Sequence, residues 1–306
     1  MDQASPVKYR VIGSALMLFG SILYSSKAVI VKLAYRHEID SLSLLALRML
    51  FALPFYIIIL FWVNRKSNQS NQSALSRRDW LKIMGIGLTG YYLASMFDFA
   101  GLQYISAGLE RLILFMYPTL VVLIMAFFYR KKIAGTTFLA LLLTYSGILL
   151  AFATDKSTIS EEYLNLGAGL VFMAALSFAL YIIWSAGLVQ RVGTLRFTAI
   201  GMLTAAAAVL IHHGVLLQWD LWKYNKEVYW LSLLMAFFAT VLPSFFVMEA
   251  IRRIGPTRAA IIGSVGPIST IILAYYFLGE AFGGWQLVGT GVVILGVLMI
   301  SLNRKR

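Results

Sequence analysis

The chain has 306 residues, of which 60% are hydrophobic and 13% are charged, and its net charge is +13. Soluble domains are nearer to half apolar and a quarter charged, so these figures exclude a soluble globular protein and a disordered chain. They predict an all-α, polytopic membrane protein. In such a protein an excess of Lys and Arg over Asp and Glu reflects orientation in the membrane rather than a nucleic-acid partner.

Ten apolar runs of about 20 residues, the length that crosses a bilayer core, follow one another along the chain. They are Val11 to Val31, Leu42 to Trp62, Leu81 to Gln103, Leu109 to Phe128, Gly135 to Ala153, Gly167 to Val189, Leu195 to Leu217, Tyr229 to Ala250, Ala259 to Leu278 and Trp285 to Leu302. The longest polar stretch, Asn64 to Asp79, is rich in Ser, Asn and Gln and is predicted to be a flexible loop.

The connections between these runs alternate in charge. With the N-terminus placed inside, the inner segments carry 18 basic residues against two acids, and the outer segments carry six against nine. Lys and Arg are retained on the cytoplasmic side, and an odd number of spans would break the alternation. The sequence therefore predicts a multi-pass protein of the bacterial inner membrane, with ten transmembrane helices and both termini cytoplasmic.

The second half of the chain repeats landmarks of the first half at a constant offset of 149 residues. Between residues 99–153 and 248–302 only seven of 55 positions are identical. Three landmark pairs nevertheless align without a gap: Pro118 with Pro267, Gly135 with Gly284, and Gly147 with Gly296. Five spans in each half would insert the second half upside down, as in many secondary transporters. The alternative is a chance match of helix-breaking residues.

Several short motifs carry a resemblance to a known family. They are Tyr104-Ile105-Ser106-Ala107-Gly108, Tyr117-Pro118, Ile254-Gly255-Pro256-Thr257, Gly266-Pro267, Leu278-Gly279-Glu280, the glycines from Gly289 to Gly296, and Arg48 near the start of the second span. By these motifs the chain resembles the drug/metabolite transporter superfamily, specifically its EamA-type permeases.

The resemblance implies two inverted five-helix EamA repeats, at residues 11–153 and 167–302. An outer linker at 154–166 would join them, and cytoplasmic segments at 1–10 and 303–306 would flank them. Spans 1, 3, 4, 6, 8 and 9 would line a central cavity. One departure concerns the Glu that the family often has at the end of the fourth span, where this chain has Arg130-Lys131-Lys132. That Glu is therefore expected to be dispensable for substrate binding here.

Ionisable side chains within spans are costly to bury, so each one is a candidate for function. Lys27, Arg48, Asp98 and Arg111 are expected in the outer half of the membrane, and their net positive charge suits a substrate that carries a carboxylate. Asp98 needs a partner at that depth, which Lys27, Arg48 or Arg111 could supply. The alternatives are a purely structural ion pair and a Lys27 side chain that extends to the interface.

Five aromatic residues are predicted to form walls of the substrate-binding site: Tyr24, Tyr91, Tyr117, Tyr181 and Trp184. Tyr24 and Tyr91 share helical faces with charged candidates through spacings of three, four or seven residues. The alternative is that these side chains pack between helices or form an interfacial belt.

Three acids are candidates for proton coupling: Asp98, Glu110 and Glu249. The alternative for Glu110 is that it only complements a helix N-terminus, and for Glu249 that it forms an interfacial salt bridge with a neighbouring arginine. Pro118 and Pro267 lie in mid-span and are predicted hinges because each removes a backbone donor. Their alternative is a packing kink.

The resemblance implies a secondary transporter that exports a small metabolite, such as an amino acid, by alternating access. Its partners would be the small-molecule substrate, membrane lipid and, in one version, a proton as the coupling ion. Exchange and facilitated diffusion fit the sequence equally well. Both a monomer and a homodimer are consistent with it.

Signatures of enzymes are missing from the sequence. The chain has no Cys, no Gly-Lys-Ser/Thr phosphate loop and no His-Glu-x-x-His pair, so no cofactor and no metal are predicted. Two alternatives stay open. A multidrug or cationic-compound exporter of the same fold would want a more apolar cavity with an unpaired acid. An integral-membrane lipid-modifying enzyme would need clustered His, Asp or Glu at one membrane face.

Overall fold

The computed structural model describes residues 6–69, 75–130, 135–153, 161–263, 265–281 and 283–303. All regular structure within these ranges is helical, which confirms the predicted all-α class. The elements are α1 (Pro6–Tyr35), α2 (Ser41–Gln69), α3 (Arg77–Gly87), π1 (Leu88–Leu93), α4 (Ala94–Gly101), α5 (Ala107–Leu114), α6 (Tyr117–Phe128), α7 (Gly135–Ala153), α8 (Glu161–Val192), α9 (Thr194–Leu217), α10 (Lys226–Ala236), π2 (Phe237–Val241), α11 (Leu242–Gly263), α12 (Val265–Leu278) and α13 (Gly284–Asn303).

Six helical stretches in the described ranges are long and apolar enough to cross a membrane. They are Tyr9–Tyr35, Ser41–Arg65, Ala107–Phe128, Glu162–Val192, Thr194–Leu217 and Lys226–Val247. Three shorter apolar helices accompany them, at Phe138–Ala151, Val265–Leu278 and Gly284–Met299. Several large apolar side chains on the bundle surface are exposed, such as Phe127 at 79% and Tyr276 at 77%. Such a surface is typical of helices that face lipid.

The predicted flexible loop at Asn64–Asp79 is shorter than expected. Helix α2 continues to Gln69 and α3 begins at Arg77, with Ser76 as its N-cap. Lys, Arg and Gln form helices readily, so α2 extends beyond its apolar part. Residues 70–74 lie outside the described part of the chain, as do most of the predicted linker at 154–166 and parts of both predicted termini.

Three of the predicted spans contain irregular helical geometry. The third is continuous from α3 through π1 to α4, and the eighth from α10 through π2 to α11. The fourth is divided at Phe115 and Met116 into α5 and α6. Pro118 explains this division because it has no N–H to donate to the preceding turn, and Thr119 and Leu120 both donate to the Met116 carbonyl instead.

Helices α11 and α12 both pack against α1. Gly20 of α1 approaches Val247 and Gly13 approaches Ile254, so this part of α11 runs antiparallel to α1. Ser25 of α1 donates to the Gly266 carbonyl of α12 at 2.9 Å.

Helices α7 and α13 pack with their backbones in direct contact. A Cβ atom on Gly289 would lie 2.6 Å from the Gly147 carbonyl oxygen, and one on Gly296 would lie 2.7 Å from the Ala140 carbonyl oxygen. Small residues permit such close helix pairs in membranes. This pair joins the last helix of the first half to the last helix of the second.

A large buried core surrounds α2, whose Leu44, Leu45 and Leu47 are fully buried together with Phe99 of α4. Helix α1 crosses this region and packs against α10, π2, α11 and α12 as well as α5. Helix α8 packs against α3, π1, α4, α5 and α6. Each of these two helices therefore lies mainly against helices of the other half, and the charged residues of α1, α2, α4 and α5 meet beside them.

Candidate substrate-binding site

The centre of the site is a buried ion cluster formed by three helices. The Lys27 ammonium of α1 donates to Oδ2 of Asp98 in α4 and, at 3.1 Å, to Oε1 of Glu110 in α5. The Glu110 side chain is fully buried and that of Asp98 is 5% exposed. Of the three partners considered for Asp98, Lys27 is the one that contacts it, and Lys27 points inward.

Local structure explains why Glu110 is stable at this position. It lies in the first turn of α5, where Ser106 is the N-cap and its Oγ accepts a hydrogen bond from the backbone N–H of Leu109 at 3.2 Å. A helix N-terminus favours acids in its first turn. Glu110 therefore complements the helix N-terminus, as the alternative expected, and also belongs to the charged cluster.

Two carboxylates that share one ammonium leave acceptor capacity unused. Asp98 Oδ1 and Glu110 Oε2 are buried and have no hydrogen-bond partner among the described residues. The two carboxyl groups are neighbours, because both accept from the same Lys27 ammonium. A buried acceptor without a donor is unfavourable, and a proton on one carboxyl would satisfy both oxygens. Each carboxyl group therefore has one buried oxygen that could accept a further hydrogen bond.

Two arginines extend the cluster on either side. Arg48 of α2 is 6% exposed, donates to Ser95 Oγ at 3.1 Å and places its guanidinium 4.9 Å from the centre of the Phe99 ring. The Arg111 guanidinium lies against Gly266 of α12. With Lys27, these residues give three cations against two carboxylates, so the cluster has a formal charge of +1 when both acids are ionised.

A chain of aromatic rings lies on the α8 side of the site. The hydroxyl groups of Tyr91 and Tyr181 are 2.7 Å apart. Tyr181 stacks on Phe178 at 5.5 Å between ring centroids, and Tyr117 meets Phe178 edge to face at 5.1 Å. Three of the five predicted aromatic residues are therefore brought together, and Phe178, which the sequence reasoning did not single out, connects them.

Tyr24 faces the second half of the chain. Its hydroxyl lies 2.9 Å from Ser244 Oγ, and that Oγ donates to the Thr240 carbonyl of π2 at 2.5 Å. Tyr56, which is 3% exposed, has its hydroxyl near the same serine. Sequence reasoning missed Ser244 and Tyr56, although Ser244 lies 149 residues after Ser95, the partner of Arg48.

Comparison with known sequences identifies the family. A sequence profile of the EamA-like transporter family matches residues 11–153 and 165–302. The chain belongs to the EamA-like transporter family. It is thus a multi-pass, helical membrane transporter, as the motifs predicted.

Relatives of this EamA-like transporter have the same length and class. "Uncharacterized transporter YcbK" of Bacillus subtilis (strain 168) is 30% identical over all of this chain and 97% of the relative. "Uncharacterized inner membrane transporter YicL" of Salmonella typhimurium (strain LT2) is 23% identical over 96% of each chain. A solved crystal structure with 16% identity superposes with a TM-score of 0.65 over 95% of this chain and 96% of its own, which is a likeness of fold.

The remaining predicted residues of this EamA-like transporter lie away from the ion cluster. Trp184 is 47% exposed on α8, a placement that favours a lipid contact over the predicted contact with substrate. Glu249 accepts from Nε of Arg253 at 2.6 Å, and the Arg253 guanidinium lies 4.8 Å from the centre of the Tyr9 ring. This arrangement matches the alternative of a salt bridge and joins α11 to the start of α1.

The two prolines occupy corresponding positions near helix starts. Pro118 follows the break between α5 and α6, and Pro267 is buried in the first turn of α12. The Gly266 carbonyl beside Pro267 accepts from Ser25 Oγ at 2.9 Å, which ties α12 to α1. The Arg111 guanidinium lies against Gly266, the residue before Pro267. The role of both prolines as hinges stays a prediction.

Two further sequence expectations concern ligands and the departure from the family pattern. Among the described residues, no group of three His, Asp or Glu side chains is arranged to hold a metal ion. Glu280 accepts a hydrogen bond from the backbone N–H of Ala107 at 3.2 Å and so links α12 to the start of α5. Its counterpart in the first half, Lys131, lies outside the described part of the chain.

Proposed function

We propose that this EamA-like transporter is a secondary exporter with ten transmembrane helices in two inverted five-helix repeats. The offset of 149 residues found in the sequence recurs in local structure. Helices α3 and α10 begin 149 residues apart, with Ser76 and Asn225 as N-caps, and π1 and π2 begin 149 residues apart at Leu88 and Phe237. Equal spacing of caps, π-helices and prolines supports a repeat over a chance match.

The contact between α7 and α13 supports the same proposal. Exchanging each residue for its counterpart 149 positions away converts the pair Gly147–Gly289 into the pair Gly296–Ala140, and both pairs are close contacts. A contact that maps onto itself is expected when two halves are related by a twofold axis. With the inner loops basic, this arrangement places both termini in the cytoplasm of a bacterial inner membrane.

The ion cluster carries the proposal for the substrate, a small metabolite with a carboxylate and an ammonium group, such as an amino acid. Arg48 and Arg111 offer guanidinium groups to the carboxylate, and the tyrosines beside them offer hydroxyl groups and ring faces. The pair Asp98 and Glu110 is the only part of this cluster that offers negative charge to the ammonium. Net charge, burial and hydrogen-bonding capacity therefore favour a zwitterion.

Proton coupling follows from the same pair of acids. A substrate ammonium and a proton would both satisfy the buried oxygens of Asp98 and Glu110, so the two ligands compete. A proton that enters from outside would displace the substrate there, and loss of that proton inside would restore the acceptor for the next substrate. By linkage, each ligand weakens the binding of the other by the same factor. This sequence exports substrate in exchange for protons.

Reconstitution into proteoliposomes tests the function. We expect counterflow of a labelled amino acid without chemical change, and accumulation driven by a proton gradient. Asp98→Asn with Glu110→Gln, which preserves shape, should abolish proton-driven accumulation. Glu249→Gln is the matched control and should transport normally. Chemical turnover of a lipid, or transport of organic cations alone, would contradict the function. Normal transport by both Lys27→Ala and Asp98→Ala would contradict the site.

A further inference from the structure

A cavity of about 560 Å³ lies at the C-terminal end of α1, where α4 and α12 also end. Its walls include Lys32, Tyr35 and Arg36 of α1 and Gln103 from the turn after α4. This volume falls in the range of about 300–1,000 Å³ that is usual for small-molecule sites. In the proposed topology this end of the bundle is the outer one.

The polar groups of this cavity are held in place by contacts between helices. Arg36 Nη2 donates to the Leu278 carbonyl at 2.8 Å, and Glu280, which also lines the cavity, accepts from the backbone N–H of Ala107. Two cations and one carboxylate therefore line the same space. Ile39 and Leu278 add apolar surface to it.

The cavity is distinct from the ion cluster but next to it. Lys32 follows Lys27 by five residues, a rise of about 7.5 Å along a helix. Tyr35 separates the cavity from the ion cluster. Its side chain lines the cavity, and its hydroxyl donates at 2.6 Å to the carbonyl of Phe99, the residue after Asp98. Val31 between them on α1 is fully buried.

We propose that this cavity is a second binding site, which holds a zwitterionic α-amino acid with an apolar side chain after it leaves the ion cluster. Lys32 and Arg36 bind the carboxylate, Glu280 binds the ammonium, and Ile39 and Leu278 contact the side chain. The role as an exit site rests on the proposed export function. Binding to the cavity itself does not require transport and is measured separately.

Labelling of an introduced cysteine tests the site, because the natural chain has no Cys. The Gln103→Cys variant places a single thiol in the cavity wall, and Trp222→Cys, at a side chain that is 74% exposed elsewhere, is the matched control. We expect leucine to slow maleimide labelling of purified Gln103→Cys and to leave Trp222→Cys unaffected. Leucine without its amino group (4-methylpentanoate) or without its carboxylate (3-methylbutylamine) should protect about tenfold more weakly, since hydrogen bonds to charged groups contribute about 1.5–3 kcal/mol.

Two further variants, made in the Gln103→Cys background, test which residue of the cavity binds each charged group of leucine. Glu280→Gln keeps an oxygen acceptor for Ala107 but removes the negative charge, so leucine should lose its advantage over 4-methylpentanoate. Lys32→Gln should reduce the advantage of leucine over 3-methylbutylamine, because Arg36 remains to bind the carboxylate. An unchanged thermal unfolding temperature shows that each variant is folded.

The outcomes separate this proposal from the export function. Equal protection by all three compounds, or no protection by leucine at concentrations at which it is transported, overturns the second site and leaves the transporter intact. Protection of Gln103→Cys with the expected charge dependence, together with absent transport, supports the site and overturns the exporter.

Discussion

Among the described residues, Lys27 is the only ammonium in contact with both Asp98 and Glu110, and this makes it central to the stability of the site. Its removal would leave two carboxylates buried side by side without a cation between them. Breaking a buried ion pair by removing one partner costs about 3–5 kcal/mol, because the remaining charge keeps its desolvation penalty. The cost falls when the partner is neutralised as well.

We therefore expect Lys27→Met to lower the free energy of unfolding by about 3–5 kcal/mol. Adding Asp98→Asn and Glu110→Gln to Lys27→Met should recover part of that loss, and thermal unfolding in detergent measures both effects. Lys223→Met, which removes an exposed ion pair with Asp220, is the control and should leave the unfolding temperature unchanged. Additive losses in the triple variant would show that the three residues do not form one cluster.

Asp40, an acid outside the predicted spans, accepts hydrogen bonds from two other parts of the chain. Its Oδ1 accepts from the backbone N–H of Ser43 at 2.8 Å, so it caps α2, and its Oδ2 accepts from the Tyr224 hydroxyl at 3.0 Å. Burial opposes ionisation of this carboxyl, but the hydrogen bonds from Ser43 and Tyr224 outweigh it and lower the pKa of Asp40 below its ordinary value of 3.8. Ionised Asp40 therefore stabilises the fold.

The effect of Asp40 should depend on pH in a defined direction. A depressed pKa gives stabilisation that is complete above the unfolded value of 3.8 and is lost as the pH falls through the lower folded value. At pH 7 we expect Asp40→Asn to unfold at a lower temperature than the natural protein. Thermal scans at decreasing pH should show the two curves converging below pH 3.8, and a difference that grows on acidification would contradict this account.

At the scale of elements, the pairing of α7 with α13 depends on backbone contact. Gly289 has no room for a methyl group, because the Gly147 carbonyl would lie 2.6 Å from it, whereas Gly291 two residues later has open space. The same substitution at these two positions should therefore have opposite effects.

We expect Gly289→Ala to destabilise the protein by about 1–3 kcal/mol through overpacking. Gly291→Ala should stabilise it by about 0.5–1 kcal/mol, because Gly is unfavourable within a helix. Unfolding of both variants in the same detergent measures the difference. Equal shifts of the same sign would show that α7 and α13 are not in close contact.

The two π-helices lie at corresponding positions of the proposed repeat, because they begin 149 residues apart. Single π-helical turns are rare and occur often at functional sites. Tyr91 lies within π1 and reaches Tyr181, while Thr240 of π2 donates to the Met235 carbonyl at 3.1 Å and its own carbonyl holds Ser244. Both π-helices therefore orient side chains toward the candidate site.

At the scale of the whole molecule, the proposed topology assigns each connection to one side of the membrane. The connection between α9 and α10 is assigned outside, and the one between α8 and α9 inside. Trp222 and Thr194 are exposed residues on these two connections.

In intact cells, a membrane-impermeant maleimide should label Trp222→Cys and leave Thr194→Cys unlabelled until the cells are broken. The absence of natural cysteines keeps the background low. The reversed pattern would contradict cytoplasmic termini. Labelling of both positions in intact cells would contradict the proposed single crossing of the membrane by α9, which lies between them.

The sequence by itself determined the helical class, the membrane setting and the family. These depend on local properties, because an apolar run of sufficient length and the cost of moving Lys and Arg across a bilayer require no knowledge of neighbouring helices. It also identified Lys27, Arg48 and Asp98 as unusual, since a charge within an apolar run is visible without a structure.

Only the tertiary structure decided which of these residues meet. Lys27 contacts Asp98 and Glu110 across 71 and 83 residues, and Tyr24 contacts Ser244 across 220. Helical periodicity gives the face of each residue but leaves the rotation and register of neighbouring helices open. For that reason the sequence offered no ground to prefer Lys27 to Arg48 as the partner of Asp98. It also did not distinguish Trp184 from Tyr181. The packing of α8 leaves Trp184 exposed on the bundle surface and places Tyr181 against Tyr91.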